Sequence, residues 1–213
     1  MKNINTFDFT NKKAIVRVDF NVPLNDDKQV TDDTRIVAAL PTIKKITETG
    51  SAILMSHLGR PKGKEEKYSL KQIVYKIEEL VGKKIKFIDD CIGDKVKKAV
   101  SELQNGEILL LENLRFYSEE KKGDRDFAKQ LSELADVYVN DAFGTAHRAH
   151  ASTTVIADFF PENKMFGYVI GGELNSLDKV LKNPESPFTA ILGGAKVSSK
   201  ITVIEQANQN VSD

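Results

Sequence analysis

An α/β fold with a mainly parallel sheet is predicted by three features of this 213-residue sequence. Short apolar runs alternate with longer amphipathic segments, the order produced by strand–helix units. The short runs are almost continuously apolar, as strands buried on both faces must be. Polar clusters follow four of those runs, and in open parallel sheets ligands bind beyond the carboxyl ends of the strands.

The elements follow in order. Ala14 to Val18 reads as the first strand. Asp32 to Thr49 reads as a helix, with Thr31 as N-cap and Asp32 and Asp33 in the first turn, where acidic side chains suit the helix dipole. Pro41 is expected to kink or split it. Ala52 to Met55 is the second strand. Leu70 to Val81 is helical, with Ile73, Val74, Ile77 and Leu80 on one face. Ile85 to Ile88 is the third strand, Asp94 to Leu103 a helix, and Glu107 to Leu111 the fourth strand. Asp124 to Leu134 is helical and Val137 to Val139 is the fifth strand. After a looser stretch come a helix over Leu174 to Leu181, a strand over Phe188 to Leu192 and a helix from Val197. Asn183-Pro184-Glu185-Ser186-Pro187 reads as a linker.

Composition narrows the function. The chain is 40% hydrophobic and 29% charged, the balance of a soluble globular protein. Lys plus Arg and Asp plus Glu both total 31, which speaks against a nucleic-acid binder resting on bulk positive charge. Cys91 is the single cysteine, so no internal disulfide is expected. The first residues lack the apolar core of a secretory signal, and no run approaches the ~18 apolar residues of a membrane span. A cytoplasmic protein with no membrane partner is expected.

The candidate site lies in the turns after the strands. Asp19 and Asn21 follow the first, His57 and Arg60 the second, Glu112, Asn113 and Arg115 the fourth, and Asn140, Asp141, His147 and Arg148 the fifth. Such turns lie on one edge of one sheet and can converge. Alternation places Arg17, Asp19 and Asn21 on one face. Alone, Asp19 and Asn21 serve equally well as caps of the turn before Pro23, and Arg35 as a solvated helix residue. All three histidines lie close to arginines in sequence, and Arg offers a planar fork of donors to phosphate or carboxylate. His147 and His150 are not read as a zinc pair, because Arg148 stands between them and no cysteine is near. Gly193-Gly194-Ala195-Lys196-Val197-Ser198-Ser199-Lys200 follows an apolar run and opens a helix. It departs from the Walker pattern, but paired glycines and a helix N-terminus suit a phosphate, and Lys196 and Lys200 share a face.

Assembled, these segments resemble the phosphoglycerate kinase family. The matching segments are Arg17-Val18-Asp19-Phe20-Asn21-Val22-Pro23, Ser56-His57-Leu58-Gly59-Arg60-Pro61, Leu111-Glu112-Asn113-Leu114-Arg115-Phe116, Val139 to His150, and Leu192-Gly193-Gly194-Ala195-Lys196-Val197-Ser198. The resemblance implies a three-layer α/β/α Rossmann-like lobe followed by the first strand and helix of a second lobe. It divides the chain into a glycerate-binding lobe over 1–172, an interdomain helix and hinge over 173–187, and the start of a nucleotide-binding lobe over 188–213. It implies reversible phosphoryl transfer between 1,3-bisphosphoglycerate and ADP, giving 3-phosphoglycerate and ATP, with Mg²⁺ carried by the nucleotide. It assigns Asp19, Phe20, Asn21, Arg35, His57, Leu58, Gly59, Arg60, Arg115, His147 and Arg148 to the substrate. Gly194, Ala195, Lys196 and Lys200 face the nucleotide, and Arg35 and Lys196 stabilise the phosphoryl group in flight. Ser199 stands where many members carry Asp, and no metal ligand is assigned. A monomer is expected.

Against the family pattern the chain stops just inside the first helix of the nucleotide lobe, so a fragment or an early-terminated reading frame is expected. The alternative function is accordingly a lobe that binds 3-phosphoglycerate without turnover. Reading the coding region past Asp213 for the family's later Gly-rich motifs separates the two.

Overall fold

Six parallel strands form the centre of a computed structural model that describes residues 2–182. The strands are β1 (Lys13–Arg17), β2 (Ser51–Met55), β3 (Ile85–Phe87), β4 (Ile108–Leu110), β5 (Val137–Asn140) and β6 (Lys164–Phe166). Their order across the sheet is β3-β4-β2-β1-β5-β6, and every pairing is parallel. The helices are α1 (Thr34–Thr47), α2 (Val74–Val81), α3 (Asp94–Ser101), α4 (Ser118–Lys122), α5 (Arg125–Ser132), α6 (Phe143–Ala146) and α7 (Tyr168–Lys182).

Two-residue periodicity makes two cores of one sheet. Ala14, Val16, Ala52, Leu54, Ile108, Leu110, Val137 and Val139 face one way, toward Ile36, Ile43 and Ile46 of α1 and Ile77 of α2. Ile15, Ile53, Met55, Leu109 and Tyr138 face the other, toward Val96 of α3 and Phe127 and Leu131 of α5. Nearly all are shielded from water. Each large aliphatic side chain so buried contributes roughly 1.5–3 kcal/mol. Cys91 lies in the second core as a free thiol, and its Sγ–H donates to the Glu112 carbonyl at 3.0 Å.

The strands fall where alternation predicts them, with small shifts at the ends. Four features differ. Helix α1 starts at Thr34 rather than Asp32: Thr31 is tied back to the Pro23 carbonyl, and Asp32 Oδ1 accepts the Thr34 N–H at 2.9 Å. The same helix runs through Pro41 unsplit. Pro41 and Val37, whose carbonyl loses its helical partner to the proline, both lie on the exposed face. The Leu70–Val81 segment opens as a 3-10 turn, Leu70–Ile73, before α2 begins. The looser stretch after β5 contains α6, a 3-10 segment (Val155–Phe159), the short strand β6 and the first turns of α7, which starts at Tyr168 rather than Leu174.

The chain divides into two compact units, Met1–Ile170 and Gly171–Asp213. The expected linker, the strand over Phe188 to Leu192 and the helix from Val197 lie outside the described residues. Among the described residues no helix is long and apolar enough to cross a membrane.

Candidate functional site: a cationic cleft at the carboxyl edge of the sheet

The strand order fixes where the cleft forms. From central β1 the chain passes to β2 on one side and, after β4, returns to β5 on the other. The connections leaving β1 and β5 therefore part at the carboxyl edge, and a crevice opens between them. A cleft of about 570 Å³ lies there, lined by Asp19, Asn21, Arg35, His57, Gly59, Arg60, Arg115, Lys121, Gly144, Thr145 and Arg148.

Short polar links lock the loops together. Ser56 Oγ–H donates to the Val18 carbonyl and accepts the Phe20 N–H, both at 2.9 Å, joining the β1 and β2 exits. Asn21 Oδ1 accepts the Gly59 N–H at 2.8 Å. Gly59 has φ +63°, and an added Cβ would lie 2.5 Å from the Tyr68 ring, so both conformation and space call for glycine. Arg115 Nη1 donates to the Gly59 carbonyl at 2.7 Å, and Asn113 Nδ2 donates to the carbonyls of Leu58 and Tyr68 at 2.8 Å. Arg35, in the first turn of α1, donates to Asp19 Oδ2 at 2.7 Å. The N-terminus of α1 thus faces the cleft, the condition under which Arg35 matters.

Five cations line the cleft (Arg35, Arg60, Arg115, Lys121 and Arg148) against one carboxylate, Asp19. Burial, then Arg17 and Arg148, lower the pKa of the Arg115 guanidinium. His57 supplies no charge. Burial first, then Arg17, Arg115, His150 and Arg35, push its pKa down to about 2. The cleft is therefore built to receive a small, multiply charged anion.

Beneath it lies a buried polar chain. Arg17 is 1% exposed; its Nη2–H donates to His57 Nδ1 at 3.1 Å, its Nε–H to Ser152 Oγ at 2.9 Å, and its Nη1–H to the Val18 carbonyl. Ser152 Oγ–H in turn donates to Glu120 Oε1 at 2.6 Å, and Glu120 is 1% exposed. His150 Nδ1 lies 3.8 Å from the same carboxylate oxygen.

Several expected residues are placed elsewhere. The Phe20 side chain is fully buried in the first core and only its backbone joins the loop network. Leu58 is likewise a core residue. His147 is exposed and outside the cleft lining, because Thr145 of α6 and Arg148, two residues past the end of that helix, are the ones presented to the cleft. Arg17 shares the face of Asp19 and Asn21, since Val16, Val18, Phe20 and Val22 all point into the first core, but it is buried while the other two line the cleft. Glu112 turns away: its carboxylate accepts from Ser69 Oγ and from the backbone of Leu70 and Asn113. Asn140 bonds the Thr153 carbonyl, and Asp141 Oδ1 accepts the Val169 N–H at the start of α7, at 2.8 Å. Lys121, Gly144 and Thr145 line the cleft without having been singled out in the sequence. Gly194, Ala195, Lys196 and Lys200 lie outside the described residues. Among the described residues no group of three or more His, Cys, Asp or Glu side chains could hold a metal ion.

The sheet and its cationic edge define the class: a parallel α/β protein with an anion-binding cleft at the topological switch point. Comparison with known proteins makes this specific. The family model for phosphoglycerate kinase matches residues 4–213. Phosphoglycerate kinase of Borrelia hermsii is 54% identical over 207 residues, covering 96% of this chain and 52% of that protein. That of Nostoc sp. is 53% identical over 204 residues, covering 95% and 51%. The solved phosphoglycerate kinase of Coxiella burnetii superposes with a TM-score of 0.85 at 34% identity, covering 97% of this chain and 52% of that one. The Pyrococcus horikoshii enzyme gives 0.86 at 32%, covering 99% and 53%. This chain belongs to the phosphoglycerate kinase family. It spans about half the length of the relatives it matches.

Proposed function

We propose that the cleft holds 3-phosphoglycerate and that the chain serves reversible phosphoryl transfer between 1,3-bisphosphoglycerate and ADP. The observation that carries this reading is the cleft lining, with five cations and one carboxylate around about 570 Å³. A small substrate bearing a phosphate and a carboxyl group needs such a surplus of fork-shaped donors. Asp19 and Asn21 suit the hydroxyl end of the glycerate. Arg60, Arg115 and Arg148 suit its anionic groups.

Arg35 is held by Asp19 and is half exposed, so it can turn toward a group in transfer. No covalent intermediate is required. In-line transfer is driven by positioning and by neutralising charge on the phosphoryl oxygens. In this reading ADP or ATP enters as the Mg²⁺ complex and is met by Gly194, Ala195, Lys196 and Lys200, with Lys196 on the transferring group. The glycerate lobe occupies 1–172, and 173–187 form the hinge. The protein acts as a cytoplasmic monomer.

Calorimetric titration of this chain with 3-phosphoglycerate tests the reading. Saturable binding that weakens with salt is expected. A folded chain that gave no heat at millimolar ligand and low ionic strength would rule it out.

A further inference from the structure

The described surface offers three further candidates. A cavity of about 360 Å³ beside the cleft, lined by Leu24, Lys28, Leu58, Tyr68 and Gln72, shares Asn21 and Gly59 with it and holds nothing that selects a ligand. Exposed Val37 and Tyr75 show no partner chemistry. Arg17 is different: it is a fully buried cation that cannot touch a ligand, yet it is bonded to a residue that can.

We propose that Arg17 is a positioning residue, which holds His57 as the neutral tautomer with its proton on Nε2, so that His57 meets the anion as a fixed hydrogen-bond donor. A guanidinium carries only donors. The 3.1 Å contact from Arg17 Nη2 to His57 Nδ1 therefore requires Nδ1 to accept. The one proton of a neutral imidazole is then on Nε2, the remaining nitrogen of a ring that lines the cleft. Arg17 cannot swing away, since its Nε is bonded to Ser152 Oγ, its Nη1 to the Val18 carbonyl, and Ser152 to buried Glu120.

The groups facing His57 agree. Arg17 from β1, Arg35 from α1, Arg115 from the turn after β4 and His150 from the loop after α6 all act against an imidazolium. Glu120 on α4 is the buried acid nearby, and it is taken up by Ser152 and by the charge of Arg17. The cleft charge is then carried by Arg35, Arg60, Arg115, Lys121, Arg148 and Asp19, with no contribution from His57. His57 adds direction without pH dependence.

This rests on the anion reading of the cleft, but the decisive measurement needs no ligand. Long-range ¹H–¹⁵N correlation spectra of histidine-labelled chain, taken from about pH 8 to about pH 5, where ordinary histidines change charge, should show His57 as Nε2–H throughout. An Nδ1–H pattern, or protonation of His57 within that range, would overturn the proposal. In Arg17→Met nothing requires Nδ1 to accept, so His57 should show both Nδ1–H and Nε2–H tautomers in place of the single Nε2–H form, while burial still holds its pKa below the ordinary value. An unaltered His57 spectrum in the folded variant would also overturn it, and the wild-type spectrum decides alone if Arg17→Met does not fold. If the spectra are as expected but 3-phosphoglycerate does not bind, the substrate reading fails and the tautomer assignment stands.

Discussion

Arg115 shows how one side chain serves both scaffold and ligand. One arm of its guanidinium holds the Gly59 carbonyl at 2.7 Å, leaving other N–H groups for the cleft. Lysine carries its three donors on one nitrogen, so it lacks the planar fork that reaches the Gly59 carbonyl and the cleft from separate nitrogens. Arg115→Lys should therefore weaken 3-phosphoglycerate binding by about 10- to 100-fold, the scale of one or two charge-assisted bonds. A loss under about twofold by calorimetry would sink the assignment of Arg115 to the ligand. Glu120 is a different case, being a buried acid in a chain with buried Arg17. Glu120→Ala should destabilise the fold by roughly 3–5 kcal/mol in urea unfolding, because it leaves a buried cation without its acid. Asp19, Asn21, Arg60, Arg115 and Arg148 were legible as candidates because polar residues in turns after apolar runs have few other places to point, whereas Arg35, on a helix, was marked only by the family resemblance. The face shared by Arg17, Asp19 and Asn21 was legible because alternation carries from β1 through Val22, but the burial of Arg17 was not, since an arginine is rarely enclosed. Lys121 and Glu120 sit in a charged run, Glu119-Glu120-Lys121-Lys122, whose composition gives no sign that one acid is buried and the next lysine lines a cleft.

At the level of elements, the start of α7 depends on Asp141. Its Oδ1 accepts the Val169 N–H, and its Oδ2 is buried. Burial raises its pKa above the ordinary 3.8, although bonds from Thr42, Val169 and Ile170 act the other way. The sign follows from linkage. The folded state holds this proton more tightly than the unfolded chain, so the group's contribution to stability is greatest below pH 3.8 and is lost as pH rises through the raised value. Asp141→Asn keeps an acceptor and removes the charge, so it should flatten that part of the stability–pH curve and cost little or nothing at neutral pH. A neutral-pH loss above about 2 kcal/mol would show that the charged cap is needed. Gly167→Ala should be worse, by about 1–3 kcal/mol in thermal or urea unfolding, since a Cβ there runs into the Asp141 side chain. Most elements were legible from periodicity. The strand β6 was not, because Met165 and Phe166 are its only apolar residues between Asn163 and Gly167, too short a run to mark a strand. The continuity of α1 through Pro41 was not either, because it depends on which face of the helix meets water.

For the molecule as a whole, charge outweighs shape at the cleft. Five cations against one carboxylate make an anion site whose strength should fall as salt rises, since exposed charges are screened over about 8 Å at physiological ionic strength. Lys121→Ala, at the exposed rim, should weaken 3-phosphoglycerate binding by about two- to threefold and lower its salt dependence, while leaving unfolding unchanged. The fold class was legible because strand and helix periods alternate so regularly. The sheet order was not. Apolar runs announce strands but do not name their neighbours, and nothing in the sequence shows that β4 sits between β2 and β3.

That order has a consequence for the chain as it is made. β1 pairs with β2 about 38 residues later, but its other edge waits for β5, with Ala14 beside Val137. At roughly 5–20 residues per second, β5 leaves the ribosome about 6–24 s after β1. Through that interval the central strand of the future sheet presents an open edge of unpaired N–H and C=O groups, carried on the apolar run Ala14-Ile15-Val16. The nascent chain is then a target for holding chaperones and prone to pair with its neighbours on the same message. Slowed elongation between β2 and β5 should therefore raise aggregation of newly made chains without altering the stability of those that finish folding.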